Sequence, residues 1–436
     1  MSDPLFLLCI LCAFLILMAM GFYIHSILLG MGVVGLILIQ DFSIAAAFLR
    51  SDPYGQVASY ALTTIPLYII MAQFILKAGV VQDAFVMVYK ASRGRPTILG
   101  AMTVVIGGFL GAVSGSGAAT AASLGSVAVK ELKSYGYKSE LAGAIAATSG
   151  SLSGIIPPSI ILILYGVITE TPISDLFMAA MIPSLLMMLV FVGCVVGMYR
   201  KDAAGHQGPP VTRDVQISTR RMVIVAAVGV FMFTLIFGGI YMGFVTPTEA
   251  GAVGALGAFL TAFSLGKVNK TFIVSSVRDT AVVTGMIMLI LVGAAIFGRF
   301  VSFSMLPRRI LSMIEFLMQY PSVILLILAL LFFVMFLFIE GTAVILMALP
   351  VVLPVVQQAG INEIWFGVFI SVLCTLGLIT PPVGLSVYSA AGTSGVPAGK
   401  IFGPATKMAV AAAIIVCGLM IMFPQLATWL PSTANR

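Results

Sequence analysis

The chain has 436 residues, of which 61% are hydrophobic and only 8% charged, with a formal net charge of +7 and a mean hydropathy of +1.17. A water-soluble chain carries about 25% charged residues, so a soluble fold is excluded and the chain falls in the polytopic membrane class. The basic residues lie mostly in short loops between apolar runs, as expected of cytoplasmic loops rather than of a nucleic-acid binder.

Apolar runs of about 20 residues predict roughly ten to twelve crossings of an all-α membrane protein. The first is Pro4 to Phe22. No basic residue precedes it and no small-x-small cleavage site follows, so it reads as a retained helix rather than a signal peptide. Cys9 and Cys12 form a C-x-x-C there, but one turn of a lipid-embedded helix is a poor zinc or redox site, and Cys194, Cys374 and Cys417 also lie in apolar runs. His25 and His206 are too scattered for a metal centre. Walker-A, H-E-x-x-H and G-x-S-x-G motifs are missing, so no enzyme activity is expected.

Lys90, Arg93 and Arg95 precede the run Thr97 to Val129, and Lys130, Lys133 and Lys138 follow it. Two basic flanks place both ends in the cytoplasm. The run therefore reads as a re-entrant helical hairpin, its tip at Ser114, Gly115, Ser116 and Gly117. Non-helical backbone at membrane depth is tolerated only where it is buried in protein or lines a polar cavity. The following "SGSLSGIIPPS" holds Ser149, Ser151, Ser153, Gly154, Pro157 and Pro158. Two prolines in succession remove donors and strand carbonyls, so a broken helix is expected.

Phe177 to Tyr199 and Met222 to Tyr241 are expected as scaffold helices, separated by the polar loop Arg200 to Arg221. Ala281 to Phe297 then leads outward, which puts Arg299, Arg308 and Arg309 on the periplasmic side. That placement opposes the positive-inside bias. It suggests either snorkelling to outer-leaflet phosphates or a docking patch for an acidic partner.

The run from Val323 ends at Glu340, Gly341 and Thr342. Its flanks, "FLMQYPS" and "QQAGINE", carry no lysine or arginine and fit the outer side, so this second hairpin enters from the opposite face. An intramembrane carboxylate such as Glu340 marks function by default. "CTLGLITPPVG" supplies Thr375, Gly377, Thr380, Pro381, Pro382 and Gly384 and is the second expected break. Met408 to Pro424 is the last crossing.

A shift of 224 residues carries Gly117 onto Gly341, Gly136 onto Gly360, Gly143 onto Gly367, and Pro157 and Pro158 onto Pro381 and Pro382. The matched residues are those that dictate backbone shape, and opposite orientation of two such copies is the inverted-repeat arrangement of secondary transporters. The expected division is 1–96 scaffold and arm, 97–175 first repeat, 176–270 scaffold with a cytoplasmic loop, 271–320 second arm, 321–399 second repeat, and 400–436 a C-terminal helix. Each tip beside its broken helix offers hydroxyls and freed carbonyls to a hard cation, while exposed helix N-termini favour an anion.

At "GAVSGSGAATAASLGSVAVKELKSYGY", "ATSGSLSGIIPPSIILILYGVITETPISDLF" and "GTAVILMALPVVLPVVQQAGINEIWFGV" the chain resembles the large membrane subunit of tripartite ATP-independent periplasmic (TRAP) transporters. The resemblance implies an elevator-type, sodium-coupled importer of an organic acid in the bacterial inner membrane, with both termini periplasmic. Its partners would be a small four-helix membrane subunit and a periplasmic substrate-binding protein. It implies no cofactor beyond Na+ as coupling ion, held at the two tip and broken-helix pairs. The alternatives are a stand-alone sodium–dicarboxylate symporter and, in another class, a membrane channel or scaffold subunit.

Overall fold

The computed structural model describes residues 13–14, 16–18, 20–114, 116–203, 218–313 and 315–434. The described residues form helices and connecting turns, with no strand among them. The expected Pro4–Phe22 helix, Gly115 and most of the loop 200–221 lie outside the described residues or largely so.

Helices α1 (Ile24–Ile39), α2 (Phe42–Val57), α3 (Thr64–Ala78) and α4 (Val80–Ala91) lead into the first hairpin, α5 (Pro96–Ser114) and α6 (Gly117–Ser134). The first broken crossing follows as α7 (Ser139–Ser151) and α8 (Ile160–Thr169), then the long α9 (Ile173–Ala203). The second half begins with α10 (Thr219–Phe233), α11 (Pro247–Ser264), α12 (Lys270–Phe303) and the short α13 (Leu306–Met313). The second hairpin is α14 (Pro321–Phe338) and α15 (Gly341–Gln358), the second broken crossing α16 (Glu363–Gly377) and α17 (Leu385–Ser394). The chain closes with α18 (Ala398–Ala412), which continues through a π-turn to Met422, and α19 (Gln425–Ala434).

The repeat legible in the sequence reappears in the helix boundaries. Shifted by 224 residues, α6 falls on α15 from first residue to last. The turns that follow these two helices also match: Gly136 and Gly360 both adopt positive φ, +83° and +66°, a conformation glycine enters without steric penalty. Pro157–Pro158 and Pro381–Pro382 are both cis. Among the described residues, six helices are long and apolar enough to cross a membrane, and four more are apolar but of 10–17 residues. Pro-Pro breaks divide two of the ten to twelve expected crossings into halves, and most of the expected first crossing lies outside the described residues.

The helices pack as two groups. In one, α12 lies against α1, α2 and α3, and α11 against α3 and α10. In the other, the hairpins and broken helices pack on each other together with α9, α18 and α19. The seam between them is formed by α3 and α4 against α5 and by α12 and α13 against α15. Residues 176–270, expected as one scaffold block, are split by this seam. Helix α9 packs on α5, α7, α8 and α16, whereas α10 and α11 stay with α3 and α4. A helix that is apolar all round presents no stripe to show which neighbour it faces, and α9 buries Phe177, Met187, Phe191 and Val195 along its length.

Side-chain bonds fix the hairpins in opposite senses. At the base of the first, Tyr137 Oη donates to Pro96 O (2.9 Å), Tyr199 Oη to Tyr135 O (3.2 Å), and Lys138 pairs with Asp202 (2.8 Å). The hydrogen bond that Lys138 donates to the Asp202 carboxylate raises the lysine pKa. At the base of the second, Gln357 Nε2 donates to Glu363 Oε1 (2.9 Å) and Tyr165 Oη to Glu363 O (2.7 Å). The crossing α7–α8 starts beside the first base and reaches the second through Tyr165. The two bases therefore lie at opposite ends of the same crossing.

Candidate functional site

Each tip is a helix N-terminus, and each N-terminus carries a cap. At the first, Ser116 Oγ accepts from Ala119 N (3.3 Å). Ser114, buried at the end of α5, shares a hydrogen bond with Thr120 Oγ1 (2.5 Å) and donates to Gly111 O (3.0 Å). At the second tip the capping atom belongs to a carboxylate. Glu340 Oε2 accepts from Thr342 N (2.9 Å) and Ala343 N (3.3 Å), and also from Thr342 Oγ1. A negative charge on the first turn of α15 is favoured by the helix dipole. Glu340 thus ends the apolar run as an N-cap, with its charge at the tip.

The tips do not rest only on their own broken helices. A side chain at Gly117 would meet Ser153 Oγ at 3.1 Å, Gly150 O at 3.2 Å and Ser386 Oγ at 3.2 Å. The first tip is thus wedged between the end of α7 and the start of α17, which comes from the other repeat. Gly341 is held the same way, between Cys374 Sγ at the end of α16 and Ile161 at the start of α8. Where the two breaks meet, a side chain at Gly154 would lie 2.8 Å from Thr375 Oγ1. Small residues permit this approach of backbones. The site is one crossed knot, α6 with α17 and α15 with α8, rather than two separate pairs.

The hydroxyls predicted from the sequence are mostly buried and donate to their own helices. Ser149 donates to Ile145 O (2.5 Å), Ser151 to Thr148 O (2.9 Å), Thr375 to Ser371 O (2.9 Å) and Thr380 to Leu376 O (2.7 Å). A hydroxyl that donates inward still has lone pairs to offer. No group of three or more His, Cys, Asp or Glu side chains that could hold a metal occurs among the described residues. Hydroxyls, carbonyls and one carboxylate form a donor set for a hard cation, not for zinc or iron.

Some expected members lie to one side. Pro157 and Pro158 are buried, but Pro381 and Pro382 are exposed. Gly384 (φ +50°) turns against Phe402 and Thr380 O. Gly377 packs on the Phe336 backbone of α14. Ser386 was missed by the sequence reading. It is fully buried, its Oγ has no hydrogen-bond partner among the described residues, and it faces the first tip from the first turn of α17. Its signal was available: it follows the second Pro-Pro by four residues, at the expected N-terminus of the second half-helix.

The three arginines expected on the periplasmic side are not equivalent. Arg299 Nε is bound to Asp52 Oδ2 (2.8 Å) and its guanidinium lies 4.9 Å from the Phe48 ring centre. Arg308 is exposed and Arg309 half-buried on α13.

Comparison with known proteins agrees with this architecture. The chain is 28% identical over 379 residues to the C4-dicarboxylate TRAP transporter large permease protein DctM of Pseudomonas aeruginosa, covering 86% of this chain and 85% of that one. It is 28% identical over 387 residues to the sialic acid TRAP transporter large permease protein SiaM of Vibrio cholerae, covering 88% and 89%. In fold it is similar to the crystal structure of the Alcanivorax borkumensis YdaH transporter, with a TM-score of 0.64, 13% identity, and coverage of 94% of this chain and 97% of that one. The profile of the family described as tripartite ATP-independent periplasmic transporter, DctM component, matches residues 11–426. With inverted hairpins, paired helix breaks and several membrane-crossing helices, this multi-pass membrane protein belongs to the DctM component family of tripartite ATP-independent periplasmic transporters.

Proposed function

We propose that the chain imports an organic acid anion by coupling it to sodium, taking the acid from a periplasmic binding protein and working with a small four-helix membrane subunit in the bacterial inner membrane. The observation that carries this reading is the crossed knot of tips and half-helices. Its oxygens suit a hard cation, while the N-termini of α6 and α17 favour an anion nearby. Sodium bound at the Glu340 tip offsets that carboxylate and lowers the repulsion felt by an incoming acid. The hairpin group with α9 and α18 forms the moving body, and α1–α3 with α10–α12 the static one, as an elevator requires. Both termini are periplasmic in this reading. The cargo remains at the level of an organic acid, because the two relatives are named for a C4-dicarboxylate and for sialic acid.

The test is reconstitution into liposomes with both partners and a panel of labelled organic acids. Uptake should require an inward sodium gradient and the binding protein. Uptake undiminished without the binding protein would make the chain a stand-alone symporter. Uptake indifferent to sodium would remove the coupling.

A further inference from the structure

A large apolar cavity lies away from the tips, in the seam between the two groups. It measures about 450 Å³, within the ~300–1,000 Å³ range of ligand pockets. Ile106 and Phe109 of α5 and Pro157 of the first break form one wall; Met87 of α4 with Val225 and Met232 of α10 form the other. Its inner end is marked by the edge contact of Phe109 with Phe233, ring centres 5.8 Å apart. Val230 and Phe233 are exposed at its rim.

At the cytoplasmic end stands Arg221. It lies one turn before Val225 on the same face of α10 and binds Asp83 of α4 through Nε (2.5 Å). An arginine has five N–H donors, so this bond leaves others for a second anion. Arg220 beside it is exposed, with no ion-pair partner among the described residues. From Arg221 to Phe233 the helix rises about 18 Å, close to the ~15 Å depth of one leaflet of a ~30 Å core.

A cavity with apolar walls, its α10 lining from Val225 to Phe233 about 12 Å long, with arginines one turn beyond its cytoplasmic end, fits one class of occupant. We infer that this seam binds an anionic phospholipid of the cytoplasmic leaflet, one acyl chain in the cavity and its phosphate at Arg220 and Arg221. Anionic lipids populate that leaflet and basic sites between membrane helices on that side hold their headgroups. The walls belong to both helix groups, so the chain bridges them and favours the arrangement in which the cavity exists.

The test uses the full-length permease, purified in its membrane assembly in dodecyl maltoside and stripped of lipid. Phosphatidylglycerol or phosphatidylcholine is added back, and bound lipid is counted by native mass spectrometry alongside thermal unfolding. Phosphatidylglycerol should form a one-lipid adduct that raises Tm more than phosphatidylcholine does. Gly229 lines the cavity and has open space where a side chain would start. Gly229→Trp should therefore fold and weaken the adduct about tenfold or more, the effect of excluding about two methylenes. Ala226→Leu is a milder filling variant should the tryptophan prevent folding, and Gly193→Trp, on an exposed face of α9, should leave the adduct intact. Arg220→Gln should narrow the preference for phosphatidylglycerol, with Arg221 still in place. Equal binding of the two lipids by the wild type, or an undiminished adduct in a folded cavity-filling variant, overturns the assignment.

Discussion

The two hairpins share a backbone plan and differ in charge. Ser116 caps the first tip with a neutral oxygen; at the corresponding position Glu340 caps the second with a carboxylate. Behind the first tip stands Gly150, and behind the second, at the matching position, Cys374. The first Pro-Pro is buried and the second exposed. Duplication thus preserved the residues that set turns and close approaches and let the capping chemistry diverge. In the proposed sodium-coupled cycle, a formal charge at one tip makes that tip the stronger cation ligand. The other, with two helix N-termini and only hydroxyls, is the better neighbour for an anion.

The largest effect expected concerns orientation. Ser134 and Gln358 occupy the same position in the two copies, the last residues of α6 and α15. In a background without native cysteines, Ser134→Cys should react only with a reagent supplied from the cytoplasm and Gln358→Cys only with one supplied from the periplasm. Labelling of both from one side would remove the inversion and with it the comparison.

Packing behind the tips gives the next effect. A Cβ at Gly150 would lie 2.5 Å from Gly117 O and 2.6 Å from Ala121 N, both backbone atoms that cannot rotate away. Gly150→Ala should cost about 1–3 kcal/mol as overpacking and lower the Tm of the purified permease. Cys374→Ala removes one sulfur from the matching place and should cost less. A Gly150→Ala protein as stable as wild type would mean that the first tip is not wedged as described.

Much of this was legible because glycine and proline act locally. Gly136 and Gly360 mark their turns, and the Pro-Pro pairs mark the breaks, whatever surrounds them. The alternation of basic and uncharged loops supplied the opposite senses of the hairpins. What the sequence did not carry is partnership across the repeats. Nothing in the spacing of Ser386 says that it faces Gly117, because that contact joins positions 269 residues apart and depends on how two broken crossings lie side by side. The neighbours of α9 were hidden for the opposite reason: its apolar surface is continuous. Glu340 was legible as a carboxylate ending an apolar run, but its capping role depends on where α15 begins.

Capping chemistry sharpens the comparison directly. Glu340→Gln keeps an acceptor for the α15 N-terminus and removes the charge. It should weaken the apparent sodium affinity of transport about tenfold or more, a loss of ~1.4 kcal/mol. Ser116→Ala removes a neutral cap, worth ~0.5–2 kcal/mol of local stability, and Thr375→Ala removes one hydroxyl where the breaks meet; each should shift sodium dependence by only a few-fold. Equal effects of Glu340→Gln and Ser116→Ala would mean that the difference in charge between the tips is without consequence for the ion.

The smallest effect belongs to the arms that carry the hairpins. Arm α4 ends beside Lys90, Arg93 and Arg95, on the side expected to be cytoplasmic, whereas α13 carries Arg308 and Arg309, expected on the other. Arg299 is already engaged by Asp52 and the Phe48 ring, so a docking role passes to Arg308, which is exposed. Charges at a rim speed encounter and lose that advantage as salt screens them over about 8–10 Å. Arg308→Glu should therefore raise the concentration of binding protein needed for half-maximal transport by a few-fold at low salt, and by less at high salt. The saturated rate should hold, because the residue lies outside the knot. Arg299→Glu should instead lower the amount of folded protein, since it leaves Asp52 buried beside a second negative charge. A reduced saturated rate for Arg308→Glu at unchanged half-saturation would place α13 in the transport cycle and not at a docking surface.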